Sequence, residues 1–107
     1  MPKTHGDSDL LEKQTVKAKT PRMWKVILHN DDYTPFEFVI AMLIKHFGKS
    51  AEQGAGIAMD VHHKGQGLVG MFARSIALAK VENVRQDAAT ARYPLTITCE
   101  PEGGSEE

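Results

Sequence analysis

Cysteine occurs once in the 107 residues, at Cys99, so no internal disulfide can staple the fold. A charged-then-apolar leader is missing, and so is any apolar run long enough to cross a bilayer; with the lone cysteine, this makes a reducing, cytoplasmic location without a membrane partner the expectation. Charge of one sign is missing too, since 13 Lys and Arg stand against 14 Asp and Glu. That balance gives no basic field for nucleic acid and no strong acidity for disorder, so partners must be recognised by a site. Phosphate cradles are absent: Gly65-Gln66-Gly67 lacks the further Gly, Lys and Ser or Thr that such a loop needs, which speaks against a nucleotide cofactor. No Ser lies in a Gly-x-Ser-x-Gly turn, and Cys99 takes an apolar, strand-like position, so the thiol reads as core and no catalytic nucleophile is expected.

What is present fits one small domain with one modest core. Residues 1–21 carry few large apolar groups (Leu10, Leu11, Val16), too few to offset the entropy of ordering, and read as a flexible extension. Trp24, Val26 and Leu28 alternate with Lys25, Ile27 and His29 as in a strand with one buried face. Thr34-Pro35-Phe36-Glu37 fits a capping box with Thr34 as N-cap and Pro35 at the first helical position. Phe36, Val39, Ile40, Leu43 and Phe47 then recur at helical spacing. With Phe38, Met42 and Ile44 they cover most of the circumference of a helix expected deep in the core, ending at Gly48.

Ser50-Ala51-Glu52-Gln53 is a second capping box, opening a helix to about His63 that Gly65 stops, with Gly54 and Gly56 expected to serve close packing. Leu68 to Phe72 reads as a short strand in which Gly70 marks a bulge or a close backbone approach. Ala77, Val81, Val84, Ala88 and Ala91 mark a third helix whose polar side (Arg74, Lys80, Glu82, Arg85, Asp87) faces solvent or a partner. Leu95, Ile97 and Cys99 form a closing strand after Pro94, and residues 102–107 read as a disordered end. The expectation is an α+β domain over residues 22–101, a three-stranded antiparallel sheet with three helices packed mainly on one face.

The stretch from Trp24 to Phe38 joins strand to helix through three acceptor side chains, Asn30, Asp31 and Asp32. On residues alone this is either a site or a plain turn in which Asx side chains bond their own backbone. A metal reading through His29, Asp31 and His62 meets two objections: adjacent His62 and His63 diverge by about 100° on a helix, and His29 faces the opposite side of its strand from Asn30.

The run Trp24-Lys-Val-Ile-Leu-His-Asn-Asp-Asp-Tyr-Thr-Pro-Phe-Glu-Phe-Val39 resembles the ClpS family, adaptors of the bacterial Clp ATP-dependent protease. Val61-His62 followed by Gly65, Lys80-Val81, and Tyr93-Pro94-Leu95 extend the resemblance over about residues 22–101. It implies a non-catalytic N-degron reader that hands substrates with N-terminal Phe, Tyr, Trp or Leu to the N-terminal domain of a Clp AAA+ unfoldase. Carried over by position, Asn30, Asp31 and His62 hold the substrate α-amino group, and Asp32 and Thr34 shape the turn. Phe36, Val39, Ala58, Met59, Val61 and Leu95 surround the side-chain pocket. Lys80 and Ser75 fall on the docking surface, and residues 1–21 resemble the extension engaged by the unfoldase. Three departures stand out: Ser75 where Glu is common, and Ala58 and Phe36 where Met is common. The alternative implied by the same fold is a peptide-binding or unfoldase-docking modulator without N-degron delivery.

Overall fold

The computed structural model describes residues 22–103. The expected N-terminal extension (1–21) and residues 104–107 lie outside the described residues. The elements run β1 (Met23–His29), α1 (Phe36–Phe47), α2 (Ala51–Lys64), β2 (Gln66–Ala73), α3 (Arg74–Ala91) and β3 (Thr96–Pro101), and the three strands form one antiparallel sheet in the order β2-β1-β3. The first strand is thus central. It pairs with Thr96–Pro101 on one side and with Gln66–Ala73 on the other. The Glu102 N–H donates to the Met23 carbonyl at 2.8 Å, carrying the pairing one residue into the stretch that the sequence assigns to a disordered end.

Local signals stop the helices where expected. Gly48 (φ 66°) and Gly65 (φ 91°) adopt the left-handed conformation, and their N–H groups close the last turns onto Leu43 and Val61. At Ser50 the capping box is complete: its hydroxyl accepts the Gln53 N–H and the Gln53 amide oxygen accepts the Ser50 N–H, each at 3.0 Å. The box expected at Thr34 does not form. Pro35, in extended conformation, occupies the N-cap of α1 with no side-chain cap, because the Thr34 hydroxyl is turned to Asp31.

The core is built from Val26 and Leu28 of β1, Leu43 of α1, Val61 of α2, Ala77, Val81, Val84 and Ala88 of α3, and Ile97 of β3. Each large side chain removed from water here contributes about 1.5–3 kcal/mol. α1 is not the deep helix its apolar residues suggest. Only Met42 and Leu43 are buried, while Phe36 and Ile44 are 42% and 43% exposed. The reason is topological: α3 packs on all three strands and α2 on β2, so α1 is left to pack on those two helices. Gly54 serves that packing, since a Cβ there would sit 3.3 Å from Ile40 Cγ2; Gly56 has nothing within 4 Å and does not.

β2 carries the bulge. Val26 pairs with Gly70 but Ile27 with Leu68, leaving Val69 as the extra residue, buried in the core. The polar side of α3 is largely tied back to the fold instead of standing free. Arg85 donates to the Ile97 carbonyl at 3.0 Å and the Arg74 guanidinium lies 5.4 Å from the Trp24 ring centre. The Lys80 ammonium donates to the His46 carbonyl at 2.8 Å, over the rings of Phe47 and Phe72. Asp87 takes both Lys45 (2.8 Å) and His46 (2.7 Å), and these hydrogen bonds, the one from Lys45 first, hold its carboxyl below the usual range.

Candidate functional site

β1 ends at His29, and its ladder continues one step as the Asn30 N–H donates to the Gly65 carbonyl at 3.0 Å. That bond sets the loop after β1 beside the last turn of α2, where His62 lies. The loop is organised by Asp31. Its Oδ1 accepts the N–H groups of Tyr33 (2.7 Å) and Thr34 (2.8 Å), and its Oδ2 accepts the Thr34 hydroxyl (2.8 Å). Burial works against charge on this carboxyl, but the bonds from the Thr34 hydroxyl and the two backbone N–H groups outweigh it and hold the group below the ordinary range.

With the loop pinned, one cavity of about 280 Å³ opens between β1, α1, α2 and the segment before β3. Its apolar wall is Leu28, Val39, Ala58, Val61 and Leu95, with Phe36 and Thr34 nearer solvent, and its polar edge is His29, Asn30, Asp31, Asp32 and His62. Leu95 reaches the cavity because Tyr93 is anchored, its N–H on the Ala88 carbonyl at 2.9 Å and its ring edge-on to Phe38 at 4.8 Å.

The polar edge has two kinds of group. Asp31 has three of its acceptor positions occupied within the loop, leaving about one of a carboxylate's four lone-pair directions. Among the described residues, the side chains of Asn30 and Asp32 have no hydrogen-bond partner, and His62 makes only a ring contact with His63 at 5.3 Å. The site therefore presents open acceptors backed by a fixed negative charge, next to an apolar hollow.

The structure brings ten of the sequence-predicted residues around this cavity: Asn30, Asp31, Asp32, Thr34, Phe36, Val39, Ala58, Val61, His62 and Leu95. It does not bring Met59, which is 47% exposed and absent from the lining, because Ala58 and Val61 take the inward face of α2. Leu28 and His29 line the cavity although sequence reasoning placed them as strand core and doubtful ligand; the alternation of β1 contains no signal for where the strand meets the hollow. His29 Nε2 is engaged with Thr98 Oγ1 at 2.8 Å, and among the described residues no three His, Cys, Asp or Glu side chains gather in a metal-binding group. Cys99 is half-buried against the core; burial pushes its thiol up, against the opposing charges of Arg85 and Arg74. Ser75 is exposed in the first turn of α3, five residues before Lys80. No helix among the described residues is long and apolar enough to cross a membrane.

The family described as "ATP-dependent Clp protease adaptor protein ClpS" matches residues 19–98. A ClpS adapter protein of Desulfatibacillum aliphaticivorans is 41% identical over 102 residues, spanning 94% of this chain and 98% of its own. One from Bdellovibrio bacteriovorus is 50% identical over 86 residues, spanning 80% of this chain and 75% of its own. Among solved structures, Agrobacterium tumefaciens ClpS2 bound to L-phenylalaninamide superposes with a TM-score of 0.76 at 38% identity, covering 78% of this chain and all of that one.

Proposed function

Since this chain belongs to the ClpS family of Clp protease adaptors, we propose that its cavity captures the free α-amino group and the bulky apolar side chain of N-degron substrates, which it delivers to a Clp ATP-dependent unfoldase. The observation that carries this reading is the pairing of open acceptors at Asn30, Asp32 and His62, around the charged Asp31, with the apolar wall of Leu28, Val39, Ala58, Val61 and Leu95.

An α-ammonium has three N–H donors and no acceptor. Asn30 Oδ1 and a neutral His62 nitrogen are the direct partners. Asp31 contributes its negative charge and its remaining lone-pair direction, directly or through a water. Because the Asp31 carboxylate is held by the loop itself, that charge is in place before the ligand arrives, which lowers the ordering cost of binding. Asp32 adds a second carboxylate at the edge, and Thr34 keeps Asp31 oriented. A cavity of about 280 Å³ lies at the small end of ligand pockets, about 300–1,000 Å³. It suits one side chain and its amino group, with the rest of the substrate left outside.

Recognition is followed by handover, with no chemistry at this site: ATP hydrolysis by the partner drives unfolding. The N-terminal domain of the unfoldase docks around Ser75 and Lys80, and residues 1–21 are the segment it engages. The occupancy of Agrobacterium ClpS2 by phenylalaninamide, an apolar residue with a free amino group, supports the ligand class. The deciding experiment compares a fluorescent peptide with N-terminal Phe and its N-acetylated form. Acetylation removes the ammonium and leaves the acceptors unmatched, a loss of about 1–3 kcal/mol or more; equal binding of the two peptides refutes the reading.

A further inference from the structure

We infer that Gly67, which does not line the cavity, is a positioning residue that sets the depth of the pocket through Val61. The inference rests on the reading of this cavity as the pocket for the N-terminal side chain. A Cβ at position 67 would lie 2.9 Å from Val61 Cγ2, with the Val61 nitrogen at 3.7 Å and Asp60 Cβ at 3.8 Å. The first distance is shorter than carbon atoms pack, so something has to move.

The strand is poorly placed to yield. Gly67 sits in the ladder opposite Leu28 on the central strand. Two steps further on, the Asn30 N–H holds the Gly65 carbonyl, and the Gly65 N–H in turn holds the Val61 carbonyl, so strand end and helix end are tied together. Val61 cannot easily rotate aside either. A β-branched side chain on a helix has one strongly preferred χ1, and this one is 5% exposed within the core cluster. Close-packed core offers no room; the open side of Val61 is the cavity it lines. Any side chain at position 67 therefore drives Val61 into the hollow and makes it shallower. The other tight glycines act elsewhere, since a Cβ at Gly54 meets Ile40 and one at Gly70 meets the ring of Phe72, neither of which lines the cavity.

The test measures binding of peptides with N-terminal Trp, Phe and Leu, and of N-acetylated Phe, to wild type, Gly67→Ala, Val61→Ala and the double variant. Gly67→Ala is expected to lower Trp and Phe affinity relative to Leu by about tenfold, the scale of a methylene-sized change in an apolar pocket. In the Val61→Ala background, where the contact is gone, the same substitution leaves the Trp-to-Leu ratio unchanged. Weakening all three peptides by one factor, or shifting the ratio equally in both backgrounds, overturns the inference while leaving the pocket reading intact. Failure of wild type to distinguish free from acetylated Phe overturns the pocket reading and the inference with it. Should Gly67→Ala melt too low for binding to be read, Val61→Ala and the double variant are compared by melting: equal melting temperatures support the contact, and a further loss in the double variant overturns the inference.

Discussion

Asp31 and Thr34 are joined twice: the Thr34 N–H and hydroxyl donate to the two different oxygens of the Asp31 carboxylate, each at 2.8 Å. This pair takes the place of the capping box that Thr34 and Glu37 would have made, and it turns the acceptor loop into a preset structure. Asp31 is therefore a strut of the loop besides its proposed part in binding, and its removal is expected to be felt in folding.

Removing the carboxylate should unknit the loop. Asp31→Ala deletes all three bonds and is expected to cost about 1–2 kcal/mol of stability, whereas Thr34→Val deletes only the hydroxyl bond and costs about 1 kcal/mol. Urea denaturation of both variants gives the comparison. Wild-type stability in Asp31→Ala shows that the loop is held by other means.

The same carboxylate predicts a pH dependence. Hydrogen bonds hold the folded-state pKa of Asp31 below its ordinary value, despite the opposing effect of burial. Its contribution is thus complete above the unfolded-state pKa, about 3.9, and is lost as pH falls through the lower folded value. The stability difference between wild type and Asp31→Asn should stay level from neutral pH to about pH 5 and shrink below about pH 4. Asp87, whose carboxyl is also depressed, is common to both proteins and cancels. A gap of constant size down to the acid limit contradicts the assignment.

Lys80 is expected to matter for stability before it matters for docking. Lys80→Met removes the hydrogen bond to the His46 carbonyl and the cation over Phe47 and Phe72, a loss of about 1–2 kcal/mol at this half-buried position. Thermal melting reads this loss, while Phe-peptide affinity should be unchanged because Lys80 is not in the cavity. An unchanged melting temperature shows that the clamp carries no weight, and any delivery defect then points to the proposed docking role of Lys80 alone.

Ala58 is a buried wall of the cavity, 3% exposed. Ala58→Met would fill part of the space with a flexible thioether, and is expected to change selectivity among N-terminal Phe, Tyr, Trp, Leu, Ile and Val by about 1–3 kcal/mol, with the branched Ile and Val losing most. Affinities for the six peptides on both proteins measure it. An identical ranking and spacing shows that position 58 does not shape selectivity.

Deleting residues 1–21 should spare Phe-peptide binding and impair unfoldase-dependent degradation of a substrate with N-terminal Phe. Undiminished degradation removes the extension from the delivery step.

Much of the site was legible because its residues are close in sequence or belong to a recognisable block: Asn30, Asp31, Asp32, Thr34 and Phe36 follow one another after a clear strand. Ala58, Val61 and His62 were reachable through helical spacing and the resemblance. Met59 was misplaced because a one-residue shift on a helix rotates a side chain by about 100°, and no local signal says which of two adjacent apolar residues faces inward. Leu28 and His29 were missed for the opposite reason: a strand's alternation tells its faces apart but not what stands above them.

The sequence by itself determined what is set within a few residues: the stops at Gly48 and Gly65, the box at Ser50–Gln53, and the buried stripe Ala77, Val81, Val84 and Ala88; the alternation of β1 did not hold, since Ile27 is buried along with Val26 and Leu28. Only the tertiary structure decided the rest. The extra residue at Val69 puts Gly67 and Phe72, five apart, on one face of the sheet, a parity no two-residue period can predict. The anchoring of Arg85 and Lys80 on distant carbonyls and the demotion of α1 to an outer layer were decided the same way. Each depends on which partner arrives across tens of residues of chain, and that is set by the sheet order and by how few faces a small sheet has to cover, not by the propensity of any segment.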